Sequence, residues 1–276
     1  MGILWFVKAS IGLDIQFLQV SSWSLGKKLE FLLKKYLVIF LHLTGLKKFK
    51  LGISKVNLFG KTIFYDTPYG LAGYQSMLAR HRKMIKEEKL ASVSTIVDIG
   101  ANVGFFSLMT HDLFPNAQIF AVEPLKSAFG CLEKNIGKAF NLAISDKNGF
   151  EYIKEERSSA FSSIVETLEN GAEQVTALTL DEFCRQNSID TIDILKIDTE
   201  SYEANVLKSA REVLKRTKYL HLEISIKGNN KYTFSQINSL LYSPDFNFQL
   251  INFRNFSDKS SGPIDVGDFF YKNETI

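Results

Sequence analysis

The chain has 276 residues, of which 45% are hydrophobic, 23% charged and 13% aromatic, as is typical of an ordered globular protein. Residues 1–50 hold eight lysines against two acids, a net charge of +6, whereas the remainder holds 25 basic and 28 acidic side chains, a net charge of −3. A slightly acidic body argues against a broad nucleic-acid footprint, which needs clustered cations on one face. We therefore expect no nucleic-acid partner.

The first 50 residues are typical of two helical segments that separate between Ser21 and Gly26. The most apolar run, YLVIFLHLTGL at 36–46, has lysines on both flanks. As a helix this run rises about 16 Å, roughly half of a bilayer core, so it is too short to span a membrane. We favour packing on the main domain; the alternative is peripheral membrane contact through residues 27–50, with lysines toward anionic lipid.

The N-terminus lacks the basic run, apolar stretch and cleavage site of a secretory signal. Cys131 and Cys184 each fall in a helical pattern with no second Cys or His at metal spacing, which predicts two buried free thiols. Free thiols fit a reducing compartment, so we expect a cytoplasmic protein, which is membrane-associated if residues 27–50 contact lipid. The sequence indicates no particular oligomeric state.

Residues 51–92 form a lead-in to the main domain. Alternating, β-branched and aromatic residues at 56–70 predict a small hairpin, and a helix is expected at 74–91. From residue 93 onward, strand and helix patterns alternate at short spacing, which is typical of a parallel sheet covered on both faces. The predicted strands are 94–100, 117–124, 140–145, 193–198 and 219–225, and the predicted helices are 103–114, 126–136, 178–187, 201–216 and 233–243.

Two final strands, 246–252 and 268–273, are joined by a loop without room for a crossover helix, so they should pair antiparallel. A short strand is expected at 149–153, followed by a polar loop at 155–173. The predicted fold is α/β, a Rossmann-like doubly wound seven-stranded sheet, mostly parallel with an antiparallel C-terminal strand, after a helical and hairpin N-terminal extension. The expected units are 1–50, 51–92 and 93–276.

The stretch VDIGANVGFFS at 97–107 forms the loop after the first strand, where doubly wound sheets bind ligands. Its glycines have GxxxG spacing and not the GxGxxG of a dinucleotide site, which disfavours an NAD-dependent oxidoreductase. The carboxylate of Asp98 would repel phosphates, so it suits a positively charged cofactor without phosphate, such as S-adenosylmethionine. We expect Gly100 and Gly104 to let the backbone, including Asn102, approach this cofactor, and Asp98 to organise its amino group.

Further cofactor contacts are expected at the ends of the next two strands. Glu123 ends the second strand, 23 residues after Gly100, the interval at which an acid accepts both ribose hydroxyls. Ser145 and Asp146 end the third strand, where an acceptor for the adenine amino group would lie. These residues complete the predicted cofactor site.

The stretches VDIGANVGFFS, AVEP, AISDKNG and above all LKIDTESYEANVL together resemble the FkbM family of S-adenosylmethionine-dependent methyltransferases, which have the class I methyltransferase fold. In that family the lysine-isoleucine-aspartate strand end precedes a valine-glutamate-glycine and a second glutamate. Ser201 replaces the usual glycine in this chain. The resemblance, over residues 56–225, implies methyl transfer to a hydroxyl group, on a sugar, a glycolipid or another small molecule.

An alcohol must lose its proton during methyl transfer, so a base is expected within hydrogen-bond reach. Asp198 and Glu200, at the end of the fourth strand, are the first candidates for proton acceptance or acceptor orientation, and Glu223 on the fifth strand is the next. The position of Lys196 on this strand fits a role in the site and a structural ion pair with a neighbouring acid equally well. Glu203 falls in the first turn of a helix, where acids favour the helix dipole, so we predict no metal.

We expect different roles for the two histidines near this region. His221 alternates within an apolar strand, which indicates a buried and hydrogen-bonded side chain, whereas His81 lies in a helix that could overhang the site. Two alternatives stay open: a methyltransferase acting on nucleic acid or protein, and a catalytically inactive cofactor-binding scaffold. The first is disfavoured because IDTES lacks the Asn/Asp-Pro-Pro-aromatic turn of amino-group methyltransferases.

Overall fold

The structure is a computed structural model that describes residues 3–20, 23–44, 54–58, 61–66, 70–90, 92–158, 161–165, 167–168, 171–225, 233–255 and 266–276. The chain begins with α1 (Ile3–Val20), α2 (Leu25–Leu43), β1 (Ser54–Leu58), β2 (Lys61–Tyr65), α3 (Gly70–Ser76), a π-helical turn (Met77–His81) and α4 (Arg82–Glu87). Strands β1 and β2 pair antiparallel. The predicted helix pair, hairpin and following helix are confirmed, although a π-helical turn interrupts that last helix.

The rest of the chain alternates strands and helices. In chain order these are β3 (Thr95–Ile99), α5 (Phe105–Leu113), β4 (Gln118–Val122), α6 (Lys126–Asn135), β5 (Ala139–Phe140), β6 (Ala143–Ile144), β7 (Gly149–Ser158), β8 (Phe161–Val165), β9 (Ala172–Leu178), α7 (Leu180–Gln186), β10 (Ile192–Ile197), α8 (Glu203–Lys208), α9 (Arg211–Lys215), β11 (Thr217–Ser225), α10 (Phe234–Leu241), β12 (Phe248–Asn255) and β13 (Val266–Asn273).

Seven of the described strands form the main sheet, in the order β12-β13-β11-β10-β3-β4-β5. Strands β5, β4, β3, β10 and β11 run parallel, whereas β13 is antiparallel to both of its neighbours. Helices α5 and α6 cover one face together with the N-terminal helices, and α7 to α10 cover the other. Because both faces are packed, the central strands are apolar runs. The predicted sheet, with its antiparallel C-terminal strand, is confirmed.

A second sheet was not expected from the sequence. Strands β6, β9, β7 and β8 form it in that order, with β7 antiparallel to both β8 and β9. The predicted loop at 155–173 is therefore wrong, and the predicted strand at 140–145 divides between β5 in the main sheet and β6 in the second. Main-chain pairing builds this sheet, and its buried apolar residues include Ile153 and Val175.

The predicted helix at 201–216 is also interrupted, because α8 ends at Lys208 and α9 begins at Arg211. The Ser209 hydroxyl donates to the carbonyl of Val206, one turn back, and to the carbonyl of Ser145. A serine that bonds both its own helix and a strand end favours a helix terminus over a helix interior. The break therefore ties α8 to the end of β6.

The N-terminal helices pack on the main domain through aromatic rings. The ring centroids of Phe17 and Phe31 lie 5.1 Å apart, and those of Phe31 and Tyr74 on α3 lie 6.3 Å apart. The Tyr74 ring in turn lies 5.3 Å from Phe105, the first residue of α5. The two helices thus pack on the main domain; within the run at 36–46, Ile39 is buried, and residues 45 and 46 lie outside the described residues. Among the described helices, none combines the length and the apolar character needed to cross a membrane.

Candidate functional site

The loop between β3 and α5 depends on two glycines with left-handed backbone. Gly100 has φ +69°, and a Cβ there would lie 1.7 Å from the Asp198 carbonyl oxygen. Gly104 has φ +89°, and its Cβ would lie 2.7 Å from a methyl group of Leu132 on α6. Asn102, with φ 50°, also adopts the left-handed region. Gly100 is therefore required by a main-chain contact and Gly104 by its left-handed backbone, reasons that differ from the expected approach to a cofactor.

Asp98 at the end of β3 is fully buried. Its Oδ2 accepts a hydrogen bond of 2.6 Å from the Ser107 hydroxyl on α5, and its Oδ1 lies 3.4 Å from the Lys196 ammonium nitrogen. Oδ1 has no hydrogen-bond partner among the described residues. Asp98 thus joins β3 to α5 and β10, and one of its oxygens retains an unused lone pair.

Lys196 is the central cation of this edge, a role that the sequence left undecided. Its buried ammonium nitrogen lies 3.1 Å from Asp198 Oδ2 and donates to the Gly100 carbonyl at 3.2 Å. Burial alone would lower the pKa of Lys196, but the carboxylates of Asp198 and Asp98 raise it above its ordinary value. Lys196 is therefore charged and holds the ends of β3 and β10 together. Its alternation with Asp198 along one strand was the available signal.

Glu123, at the end of β4, organises the glycine loop. Its two carboxylate oxygens accept hydrogen bonds of 2.9 Å from the backbone N–H groups of Asn102 and Leu125, one each. Burial raises the pKa of Glu123 to about 7, although these two N–H groups lower it. Because a carboxylate oxygen carries two lone pairs, each oxygen can accept one further hydrogen bond.

Ser145 and Asp146, expected near adenine, are joined to neighbouring elements. The buried Ser145 hydroxyl donates to Glu151 on β7 at 2.6 Å. Asp146 accepts hydrogen bonds from Tyr202 at 3.2 Å and from Asn205 at 2.7 Å. The structure therefore turns Ser145 inward, toward the second sheet, while Asp146 connects the end of β6 to α8.

The three acids predicted to act on the acceptor converge. One carboxylate oxygen each from Asp198, Glu200 and Glu223 lies within 4.8 Å of the others. They meet because β10 and β11 are adjacent parallel strands that end at the same edge. Burial and the charges of Asp198, Asp268 and Glu200 raise the pKa of Glu223. Glu223 therefore retains a proton more readily than an isolated carboxyl group does.

Glu203 clamps the loop that carries two of these acids, a role that the helix-dipole interpretation missed. Its buried Oε1 accepts hydrogen bonds from the Thr199 backbone at 2.8 Å, the Thr199 hydroxyl at 3.1 Å and the Ser201 backbone at 3.2 Å. Burial raises the pKa of this carboxyl. Glu200 and Ser201, with φ 51° and 78°, both adopt left-handed backbone. Ser201 thus occupies a conformation that favours glycine.

A second titratable cluster lies behind these acids. Asp268 on β13 lies 2.9 Å from His221 Nε2 on β11 and 2.8 Å from His81 Nε2 in the π-helical turn. All three side chains are buried. The expected buried, hydrogen-bonded His221 is confirmed, and His81, in the helix that could overhang the site, is buried with its Nε2 directed at Asp268. Burial lowers the pKa of His221, against the Asp268 carboxylate, which raises it.

The carboxyl edge is thus rich in acids. The charge of Lys196 interacts with four carboxyl groups, those of Asp98, Asp198, Glu123 and Glu223. A phosphate-bearing cofactor would be repelled there, whereas a cofactor with a sulfonium and an ammonium group would be attracted. The unused lone pair of Asp98 Oδ1 and those of Glu123 also fit a ligand that brings N–H and O–H donors. The residues present therefore fit S-adenosylmethionine.

This edge and the sheet define a methyltransferase of the class I fold. The family model described as the methyltransferase FkbM domain matches residues 98–250, and the chain belongs to this family. It is an S-adenosylmethionine-dependent methyltransferase. The match begins at Asp98 and includes Glu123, Asp198, Glu200 and Glu223.

A curated relative and two solved structures are similar to this chain. The 2-O-methyltransferase NoeI of Sinorhizobium fredii (strain NBRC 101917 / NGR234) is 27% identical over 179 residues, 56% of this chain and 73% of that protein. Magnesium protoporphyrin IX methyltransferase (ChlM) from Synechocystis PCC 6803 is 11% identical, with a TM-score of 0.47 over 87% of this chain and 97% of that one. Methyltransferase FkbM from Methylobacillus flagellatus KT is 15% identical, with a TM-score of 0.43 over 74% of this chain and 54% of that one.

Proposed function

We propose that this enzyme transfers the methyl group of S-adenosylmethionine to a hydroxyl group of a sugar or another small hydroxyl-bearing acceptor. The observation that carries the proposal is the convergence of Asp198, Glu200 and Glu223 beside the Lys196 ion pairs. A hydroxyl needs a proton acceptor at the edge where the methyl group is delivered. The name of the relative, a 2-O-methyltransferase, supports a hydroxyl acceptor.

The cofactor supplies an activated methyl group on a sulfonium, and the chain supplies its placement. Glu123 would accept the ribose hydroxyls while its N–H partners keep the carboxylate in place. Asp98, held by Lys196 and Ser107, would attract the amino group. Gly100, Asn102 and Gly104 shape the loop, and Ser145 and Asp146 would lie on the adenine side.

For the acceptor, we assign proton acceptance to Asp198. Its side chain is 22% exposed, and its Oδ2 lies 3.1 Å from the Lys196 ammonium nitrogen. The raised pKa of Glu223 suits a neutral carboxylic acid that donates a hydrogen bond to the acceptor and orients it, with Glu200 completing the wall. An acid-rich edge of this kind favours a neutral acceptor over a polyanion such as nucleic acid.

The proposal is tested in two stages. Calorimetry with S-adenosylmethionine and, separately, NAD should show micromolar binding of the first only, and Glu123→Ala should abolish it while Asp98→Asn weakens it. Glu133→Ala, on an exposed position of α6, should bind like the wild type. Transfer of labelled methyl groups to a panel of mono- and oligosaccharides should then fall about 100-fold or more in Asp198→Asn, with little change in cofactor binding. A folded wild type that binds no S-adenosylmethionine would overturn the proposal.

A further inference from the structure

Helices α1 and α2 present an apolar surface on the side opposite their packed face. On α2, Leu29, Leu33 and Phe40 are 55%, 71% and 56% exposed. Their spacing of four and seven residues places them on one face of the helix. The described part of α1 adds a similar row, spaced by four and three residues. We call these residues together the outer face: Ile11, Ile15, Leu18, Leu29, Leu33, Tyr36, Leu37 and Phe40.

The opposite face of the two helices is fixed to the protein. Phe31, Lys35 and Ile39 recur every four residues on α2 and are buried. The Lys35 ammonium nitrogen donates to Asp14 on α1 at 2.5 Å and to Gln75 on α3 at 2.9 Å. A buried ion pair that joins three helices holds α1 and α2 in one orientation on the main domain. The outer face is therefore presented to the surroundings by a rigid support.

The net charge around the outer face is positive. Both acids of the two helices contact cationic side chains, since Asp14 pairs with Lys35 and Glu30 pairs with Lys34 at 2.6 Å. At the start of α2, Lys27 is exposed, and the Lys28 ammonium group donates to the Leu18 carbonyl at the end of α1. Over residues 11–43 four lysines stand against two acids, which gives this pair of helices an excess positive charge. Lys47 and Lys48, also expected to flank this segment, lie outside the described residues.

We propose that the outer face docks on the surface of an anionic lipid bilayer. Apolar side chains in a row with lysines at its end are the pattern of a helix that lies in the membrane interface. The row from Leu29 to Phe40 is about 16 Å long, and its side chains can enter only the headgroup and upper acyl region. The excess positive charge favours an anionic surface over a second copy of this chain, whose outer face carries the same charge.

Docking places the methyltransfer edge beside the membrane. The outer-face helices contact α3, and Tyr74 of α3 contacts Phe105 immediately after the glycine loop. A hydroxyl-bearing headgroup at the membrane surface would then be within reach of the acid cluster. This last consequence rests on the proposed function, whereas docking itself does not.

The test measures flotation of the full chain with vesicles of phosphatidylcholine, with and without phosphatidylglycerol. Wild type should float with the anionic vesicles, bind the neutral ones at least about tenfold more weakly, and dissociate as salt is raised. A triple variant, Leu29→Gln/Leu33→Gln/Phe40→Gln, should lose about tenfold or more of its partitioning onto anionic vesicles. Phe150→Gln, which changes a 60% exposed phenylalanine on β7, serves as the matched control and should partition like wild type.

Two further measurements keep the result unambiguous. Thermal unfolding should show that the triple variant is folded, and calorimetry should show that its affinity for S-adenosylmethionine is unchanged. These two results distinguish a failure of docking from a failure of the proposed function. Equal partitioning of wild type and triple variant would overturn the proposal. So would sedimentation of wild type as a dimer that the triple variant converts to monomer without any vesicle binding, since the outer face would then be a self-association surface.

Discussion

The Lys196 ammonium nitrogen lies 3.4 Å from Asp98 Oδ1, and the two residues are register partners on the adjacent strands β10 and β3. The same nitrogen also pairs with Asp198, two residues along its own strand. One cation thus pairs with two acids from two strand ends. Because Lys196 and Asp98 are buried, removing the cation leaves at least one carboxylate without compensation inside the protein.

We predict that Lys196→Met lowers the free energy of unfolding by about 3–5 kcal/mol, measured by urea denaturation. The double variant Asp98→Asn/Lys196→Met should recover part of this loss, because it also removes the uncompensated buried charge. Lys218→Met is the control: Lys218 pairs with Asp193 at 2.7 Å but is 45% exposed, so its loss should cost less than about 1 kcal/mol. Equal losses in the two single variants would contradict the central role of Lys196.

Ser201→Gly should stabilise the protein. Ser201 has φ 78°, and a side chain in left-handed backbone costs about 1–2 kcal/mol, which glycine avoids. Part of this gain is offset by the greater freedom of glycine in the unfolded chain, so we expect a net gain of about 0.5–1 kcal/mol by thermal unfolding. Ser201→Ala keeps the Cβ and should give no gain. A destabilised glycine variant would mean that the serine side chain makes a contact stronger than the backbone strain.

Glu203→Ala should loosen the loop that carries Asp198 and Glu200. Three donors from Thr199 and Ser201 lose their shared acceptor, Oε1, which we expect to cost about 1–3 kcal/mol of stability. Glu203→Gln retains an acceptor oxygen at the same position and should lose less than half as much. Hydrogen exchange of the Thr199 and Ser201 amides separates the variants, since exchange should accelerate in Glu203→Ala and remain slow in Glu203→Gln.

Glu123 should make stability depend on pH. Its pKa of about 7 in the folded protein exceeds its ordinary value of 4.5, so between these pH values the folded state holds a proton that the unfolded state has lost. Its contribution is fully present below the unfolded pKa and disappears as pH rises through the folded one.

Relative to Glu123→Gln, wild type should therefore lose roughly 3 kcal/mol between about pH 4.5 and pH 8. Urea denaturation of both proteins across this range measures the difference. The exposed Glu133→Gln should run parallel to wild type. If wild type gains stability relative to Glu123→Gln as pH rises, the assigned direction of the pKa shift is wrong.

Residues at the ends of parallel strands were the most predictable part of the site. Asp98, Glu123 and Asp198 follow apolar strand patterns, and adjacent parallel strands end at one edge, so their proximity follows from strand order. The meeting of Glu223 with Asp198 and Glu200 follows in the same way, because β10 and β11 are neighbours. Periodicity and topology are sufficient for such contacts.

Contacts that depend on side-chain direction or on main-chain pairing were not predictable. Lys196 pairs with Asp98, 98 positions earlier in the chain, and no local pattern indicates that partner. Ser145 turns toward Glu151 because the second sheet continues from β6, and the polar sequence at 155–173 contains little apolar periodicity to indicate strands. Lys35 precedes the apolar run whose flanking lysines would face lipid in the alternative interpretation, but its ammonium group contacts Asp14 and Gln75. These two contacts arise only from the docking of three helices.

The contact of Gly100 with the Asp198 carbonyl oxygen has a consequence for turnover. The Asp198 backbone N–H also donates to the Ile99 carbonyl at 3.1 Å, so the glycine loop and the acid loop are joined by main-chain contacts on both sides. The main chain therefore holds the bases of the two loops together. The hydrogen bonds of Asp146 to Tyr202 and Asn205 join side chains only, so we expect ligand exchange to open contacts of this kind and to leave the two loops joined.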